Sequence, residues 1–178
     1  MMSLKKNLRK NNKMWAVLKF DKKRIGFLKK DFTKKLGKNF VIYTPKLFVQ
    51  KYKNNKLINK EFNLLGDYLL CFHEDFKNSE TINKLKFSRG LKYFLNGFIQ
   101  SQKEIEIFVD KCKNSENKNG YLSQNFYQLH IDSKYKFVSG PFVEKIFKIV
   151  NLQKNKIDIL MGNLKTTIKK EEFLFSPE

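Results

Sequence analysis

At 178 residues the chain has room for one medium domain or two small ones, and 41% hydrophobic with 15% aromatic content excludes wholesale disorder. Lys+Arg 37 against Asp+Glu 17 gives a formal charge of +20, which raises affinity for anions whatever the fold. Nucleic acid or a nucleoprotein machine is the natural partner, although lysines spread along the whole chain also suit a merely solvated surface.

Residues 1–13 read as a basic, flexible arm. No apolar core of signal-peptide length follows, and no run approaches the roughly 18 apolar residues of a membrane span. A soluble, cytoplasmic protein with no membrane partner is therefore expected. Met14 to Phe20 is a short apolar strand. Asp21 is placed to cap a helix on which Ile25, Leu28, Phe32 and Leu36 form one stripe and lysines fill the other side, with Gly37 placed to end it. Asn39 to Tyr43 makes a second strand. After Leu47-Phe48-Val49 comes a lysine- and asparagine-rich excursion, KYKNNKLINKEFN, which reads as an exposed hairpin or loop. Leu64 to Phe72 is strongly apolar and suits a central strand. Arg89 to Leu95 makes another turn and strand. Ser101-Gln102-Lys103-Glu104 is a capping box ahead of a second helix with the stripe Ile105, Phe108, Val109 and Cys112. Residues 113–125 are polar and glycine-bearing, as a linker would be.

From Tyr135 to Phe173 the chain reads as five short strands closing on themselves. Ser139-Gly140-Pro141-Phe142 is a turn in which glycine supplies free dihedrals and proline fixes the next. Val143, Lys145, Phe147 and Ile149 alternate with Glu144, Ile146, Lys148 and Val150. Ile157, Ile159 and Met161 point one way, and Gly162-Asn163 breaks the run before Leu164 to Ile168 resume it. A small barrel follows, because closing a sheet removes its exposed edges. The expected fold class is α+β: an antiparallel sheet flanked by helices over 14–112, a linker over 113–125, and an SH3-like β-barrel over 126–178.

Cys71 and Cys112 stand about 40 residues apart with no CxxC spacing, which favours two structural thiols in a reducing compartment over a disulfide or a zinc site. Neither His73 nor His130 has a nucleophile or carboxylate at a diagnostic spacing, and there is no phosphate-binding glycine loop. No catalytic residue, metal or cofactor is expected. The chain reads as a binding protein, not an enzyme.

Several segments carry a resemblance. Ser139-Gly140-Pro141-Phe142 and the later Ile159-Leu160-Met161-Gly162 resemble the KOW domain of the NusG family of transcription elongation and antitermination factors. Glu144, Lys145 and Ile146 fill a region where that family usually has another glycine. Trp15-Ala16-Val17-Leu18 resembles the opening WYV-type strand of the family's N-terminal (NGN) domain. Leu64-Leu65-Gly66-Asp67-Tyr68-Leu69 resembles its PLFPGYLF-type strand, and Arg89-Gly90-Leu91-Lys92-Tyr93-Phe94 its RGV-x-x-F segment. The pieces occur in order over about residues 13–175, nearly the whole chain.

The resemblance implies a monomeric factor that binds the clamp helices of RNA polymerase, suppresses pausing, and couples the elongation complex to Rho or the ribosome. Carried over by position, it implies a polymerase-binding patch of Trp15, Leu65, Tyr68 and Phe94. It implies a contact with the opposite polymerase jaw from Ser79 and Thr81, in a loop between Phe76 and Lys86. It sets Lys22, Lys23, Arg24, Lys29 and Lys30 near non-template or non-specifically held DNA. Phe142, Leu160 and Met161 match positions that meet Rho or a small-subunit ribosomal protein. Plainer readings stand beside these: Trp15, Leu65 and Phe94 as core, the basic residues as the wet side of a helix, Phe142 as a lid on the barrel. The competing function is a KOW-containing ribosomal or RNA-binding protein, which explains the charge and the barrel but not the ordered N-terminal motifs.

Overall fold

The structure, a computed structural model, describes residues 14–178; the expected basic arm lies outside the described residues. In chain order the elements are β1 (Trp15–Phe20), α1 (Ile25–Leu36), β2 (Val41–Tyr43), β3 (Lys46–Lys53), β4 (Lys56–Asn63), β5 (Tyr68–Phe72), α2 (Ser79–Leu85), β6 (Leu91–Phe94) and α3 (Gln102–Asn114). Five strands follow: β7 (Lys134–Phe137), β8 (Ile146–Leu152), β9 (Lys156–Met161), β10 (Leu164–Lys169) and β11 (Phe175–Pro177). These elements group into two compact units. One holds the described residues up to Tyr43 with Asp67–Glu106; the other holds Thr44–Gly66 with Ile107–Glu178. The hairpin β3–β4 thus groups with the carboxyl-terminal residues.

In the first unit an antiparallel sheet has the order β2-β5-β1-β6. Strand β1 is buried at alternate positions because Ala16, Leu18 and Phe20 face the core together with Leu69 and Cys71 of β5. Asp21 starts the next helical turn by accepting the Lys23 N–H at 2.9 Å. Helix α1 then buries Leu28 and Phe32, worth about 1.5–3 kcal/mol each. Gly37 ends it at φ 77°, its N–H donating to the Thr33 carbonyl. The apolar run from Leu64 is shorter as a strand than its composition suggests. Residues 64–67 form a turn, and β5 begins at Tyr68. The expected loop between Phe76 and Lys86 is instead helix α2, because Asn78 caps it through the Glu80 N–H and Leu85 anchors it in the core. Gly90 is required at φ 84°, where a Cβ would lie 2.7 Å from the Arg24 carbonyl oxygen.

The second unit is built on a five-stranded antiparallel sheet of order β10-β9-β8-β7-β11. Tyr135, Phe137, Phe147, Ile149, Ile157, Ile159, Ile168 and Phe175 form one core cluster to which all five strands contribute. Edge strands β10 and β11 therefore share that core through Ile168 and Phe175. The closed barrel expected from the sequence is not formed: among the described residues no ladder joins β10 to β11. Strand β11 is only three residues long and ends in Pro177, which has no N–H to donate. Strand β8 begins at Ile146, since Val143 to Lys145 belong to the preceding turn.

Residues 113–125, expected as a linker, carry fixed turns. Asn117 Oδ1 accepts the N–H groups of Asn119 at 2.9 Å and Tyr121 at 3.1 Å. The Leu122 N–H donates to the Lys46 carbonyl at 2.8 Å, at the root of the β3–β4 hairpin. Cys71 and Cys112 are both buried thiols, and burial pushes Cys71 up to about 12. Among the described residues no helix is long and apolar enough to cross a membrane.

Candidate partner-binding surfaces

Register decides which aromatic residues of the first unit reach the surface. Directly opposed residues of an antiparallel pair share a face. Leu18 lies opposite both Leu69 and Phe94, on the buried side. Lys19 lies opposite both Tyr68 and Tyr93, on the other side. Phe94 is therefore core, 9% exposed and packed on Phe76 and Phe98, which corrects its expected place in a surface patch. Its neighbour Tyr93 is 44% exposed, on the opposite face. Both residues are aromatic, so composition did not separate them.

The three side chains form a small cluster. The Tyr68 and Tyr93 hydroxyls are 3.0 Å apart, and their rings meet edge to face with centroids 6.5 Å apart. The Lys19 ammonium sits 5.4 Å from the Tyr68 centroid and 5.7 Å from that of Tyr93. Tyr68 and then Tyr93 raise the Lys19 pKa, while the hydrogen bond shared with Tyr68 lowers that of Tyr93. The cluster presents two rings joined through their hydroxyls, with the Lys19 ammonium close to both.

The remaining expected residues fall as follows. Trp15 is buried, packed on Phe72. Leu65 is half-buried in the turn ahead of β5 and groups with the second unit. Ser79 and Thr81 lie in the first turn of α2, Ser79 exposed and Thr81 half-buried. Lys22, Lys23, Arg24, Lys29 and Lys30 are all exposed; Lys22 pairs with Asp67 at 3.1 Å and Arg24 with Asp21 at 3.7 Å. Phe142 folds back on the core against Phe137 and Phe173, with centroids 5.7 and 6.2 Å away, which is the lid arrangement. Met161 also packs against that core, and Leu160 beside it is half-buried.

No protein-family model matches the chain, and no curated protein matches it. Among solved structures the chain is similar to Thermotoga maritima NusG, in a structure described by its domain interaction. The identity is 14% and the TM-score 0.33, covering 89% of this chain and 95% of that one. It is also similar to the MjSpt4:Spt5 complex in its conformation B, with 14% identity, a TM-score of 0.29, and coverage of 93% and 98% respectively.

Proposed function

We propose that the chain is a NusG-like transcription elongation factor whose first unit grips the clamp helices of RNA polymerase and so suppresses pausing. The observation that carries this reading is the Tyr68–Tyr93 pair around Lys19, Tyr93 exposed and Tyr68 half-buried, on the strands where the sequence resembles the polymerase-binding domain of that family. Rigid aromatic side chains that shed water on contact, ringed by charge, are what a helix-in-groove contact needs. Trp15 and Phe94 serve this surface from the core, by fixing β1 and β6. Ser79 and Thr81 at the start of α2 are the side chains proposed for the opposite jaw. Lys22, Lys23, Arg24, Lys29 and Lys30 add salt-dependent attraction to nearby DNA. In the second unit, Phe142, Leu160 and Met161 are proposed to meet Rho or a small-subunit ribosomal protein.

The test is a pull-down from lysate with the full chain, followed by Tyr68→Ser and Tyr93→Ser variants checked for native circular dichroism. Polymerase subunits should dominate the captured material, and each variant should weaken their retention about tenfold or more. Captured ribosomes without polymerase would replace this reading with the ribosomal one. Undiminished polymerase retention by both variants would move the contact elsewhere.

A further inference from the structure

The lysine-rich excursion has no role in the reading above. In the structure it is a two-stranded ribbon, paired in unbroken register from Lys46 opposite Asn63 to Lys53 opposite Lys56. Asn54 and Asn55 close it at φ 51° and 58°, the two positive values that a tightly twisted hairpin turn requires. The root is anchored: Leu47 and Val49 are buried, and the Gln50 N–H donates to the Val138 carbonyl at 2.7 Å. Beyond the root, every residue from Lys51 to Glu61 is exposed, so the ribbon is bare on both faces.

The register sorts its charges. Lys51 opposes Ile58, Lys53 opposes Lys56, and Val49 opposes Lys60, so Lys51, Lys53, Lys56 and Lys60 share one face. Tyr52, Leu57 and Asn59 lie on the other. The ribbon's carboxylate, Glu61, is also on that other face, where Lys46 at 2.9 Å and the Tyr121 hydroxyl at 2.6 Å hold it. Four lysines thus line one side of a projecting ribbon with no carboxylate on that side.

We infer that this hairpin binds duplex DNA through its phosphates, lying in the major groove. Charge complementarity supplies the attraction. A two-stranded ribbon fits the groove of B-form DNA, about 12 Å wide, whereas the major groove of A-form RNA is too narrow to admit side chains. On the lysine face the exposed aromatic ring is Phe62, at the root opposite Leu47. From Lys51 to Lys60 that face presents four lysines and Ile58, with no row of rings for successive unpaired bases to stack on, so this stretch is built to meet phosphates. Exposure on both faces lets the ribbon enter a groove, which a strand packed into a larger sheet cannot do. The contact is sequence-independent and does not depend on polymerase binding.

The experiment is fluorescence anisotropy with the full chain and a labelled random-sequence duplex of about 20 base pairs, over roughly 50 to 200 mM salt. One variant carries Lys51→Gln, Lys53→Gln, Lys56→Gln and Lys60→Gln. A second removes the same charge from exposed positions elsewhere, at Lys77, Lys86, Lys118 and Lys154. The hairpin variant should bind at least about tenfold more weakly near 100 mM salt and lose about three from the magnitude of the log–log salt slope. The scattered variant should lose about threefold at most. Equal losses in the two variants, or no loss in the first, would overturn the inference. So would a single strand bound as tightly as the duplex, or polyglutamate competing as well as DNA does. Polymerase retention by the hairpin variant, measured in the same lysate pull-down, keeps this result separate from the fate of the proposed function.

Discussion

Gly140 and Glu144 flank the turn into β8, and both have left-handed backbone, at φ 83° and 70°. At Gly140 a Cβ would run into the Phe173 ring, so glycine is needed for space as well as for conformation. Gly140→Ala should cost about 2 kcal/mol or more in urea denaturation, since the left-handed conformation alone costs about 1–2 kcal/mol. Glu144 stands where the resembled family usually keeps a glycine, and it adopts the backbone that a glycine would take without strain. Glu144→Gly is therefore expected to raise stability by up to about 1 kcal/mol. A loss of stability there would mean that the Glu144 side chain contributes something its exposed position does not reveal. The Tyr93–Phe94 pair teaches a related lesson. The turn at Arg89-Gly90 announced a strand, but which of two adjacent aromatics faces out depends on the register with β1, one residue of which reverses the answer.

Between elements, two side chains do joining work that their sequence context did not announce. Gln102, between the serine and glutamate of the expected capping box, turns its carboxamide to β1. Its Oε1 accepts the Trp15 N–H at 2.8 Å and its Nε2 donates to the Trp15 carbonyl at 2.7 Å, pinning the start of α3 to the first strand. Gln102→Ala removes both hydrogen bonds and should cost about 1–3 kcal/mol in the same denaturation assay. Asp31 of α1 and Arg89 before β6 form a forked pair. Arg89 Nη2 is 2.6 Å from Oδ1, Nε is 3.1 Å from Oδ2, and the Arg89 backbone N–H donates to Oδ2 at 2.8 Å. These hydrogen bonds hold the Asp31 carboxyl well below the usual carboxylate range. The folded value lies below the unfolded one, so the stabilisation is complete above the unfolded value and is lost as pH falls through the folded one. Asp31→Asn should lower the melting temperature at neutral pH, and the gap to the parent chain should narrow as the pH is taken below about 4. A gap that widened on acidification would refute the sign of this effect.

For the molecule as a whole, the +20 charge works against compactness by self-repulsion. Screening relieves repulsion between exposed charges over about 10 Å at 0.1 M salt, so the melting temperature should rise as sodium chloride is increased from about 20 to 200 mM. A fall over that range would show that surface ion pairs such as Lys22–Asp67 outweigh the repulsion. The order of strands and helices was legible from hydrophobic period, caps and turn glycines, because those signals act within a few residues. Asp21, Gly37 and the Gly162-Asn163 turn each act as their neighbours in the chain suggest. Helix α2 was missed because its cap, Asn78, sits in a polar stretch with little apolar rhythm to mark it.

Local chemistry along the chain thus gave most elements and some of their ends, Asp21 and Gly37 around α1 among them, but not the starts of β5 and β8 or helix α2. Pairing across distant segments settled the rest: that Tyr93 and not Phe94 lies outward, that the hairpin's lysines gather on one face, and that β10 and β11 stay unjoined around a shared core. The reason is that a strand's side chains alternate with period two. Which half of that alternation meets water is fixed by the partner strand's register, and register is a property of contacts many residues apart.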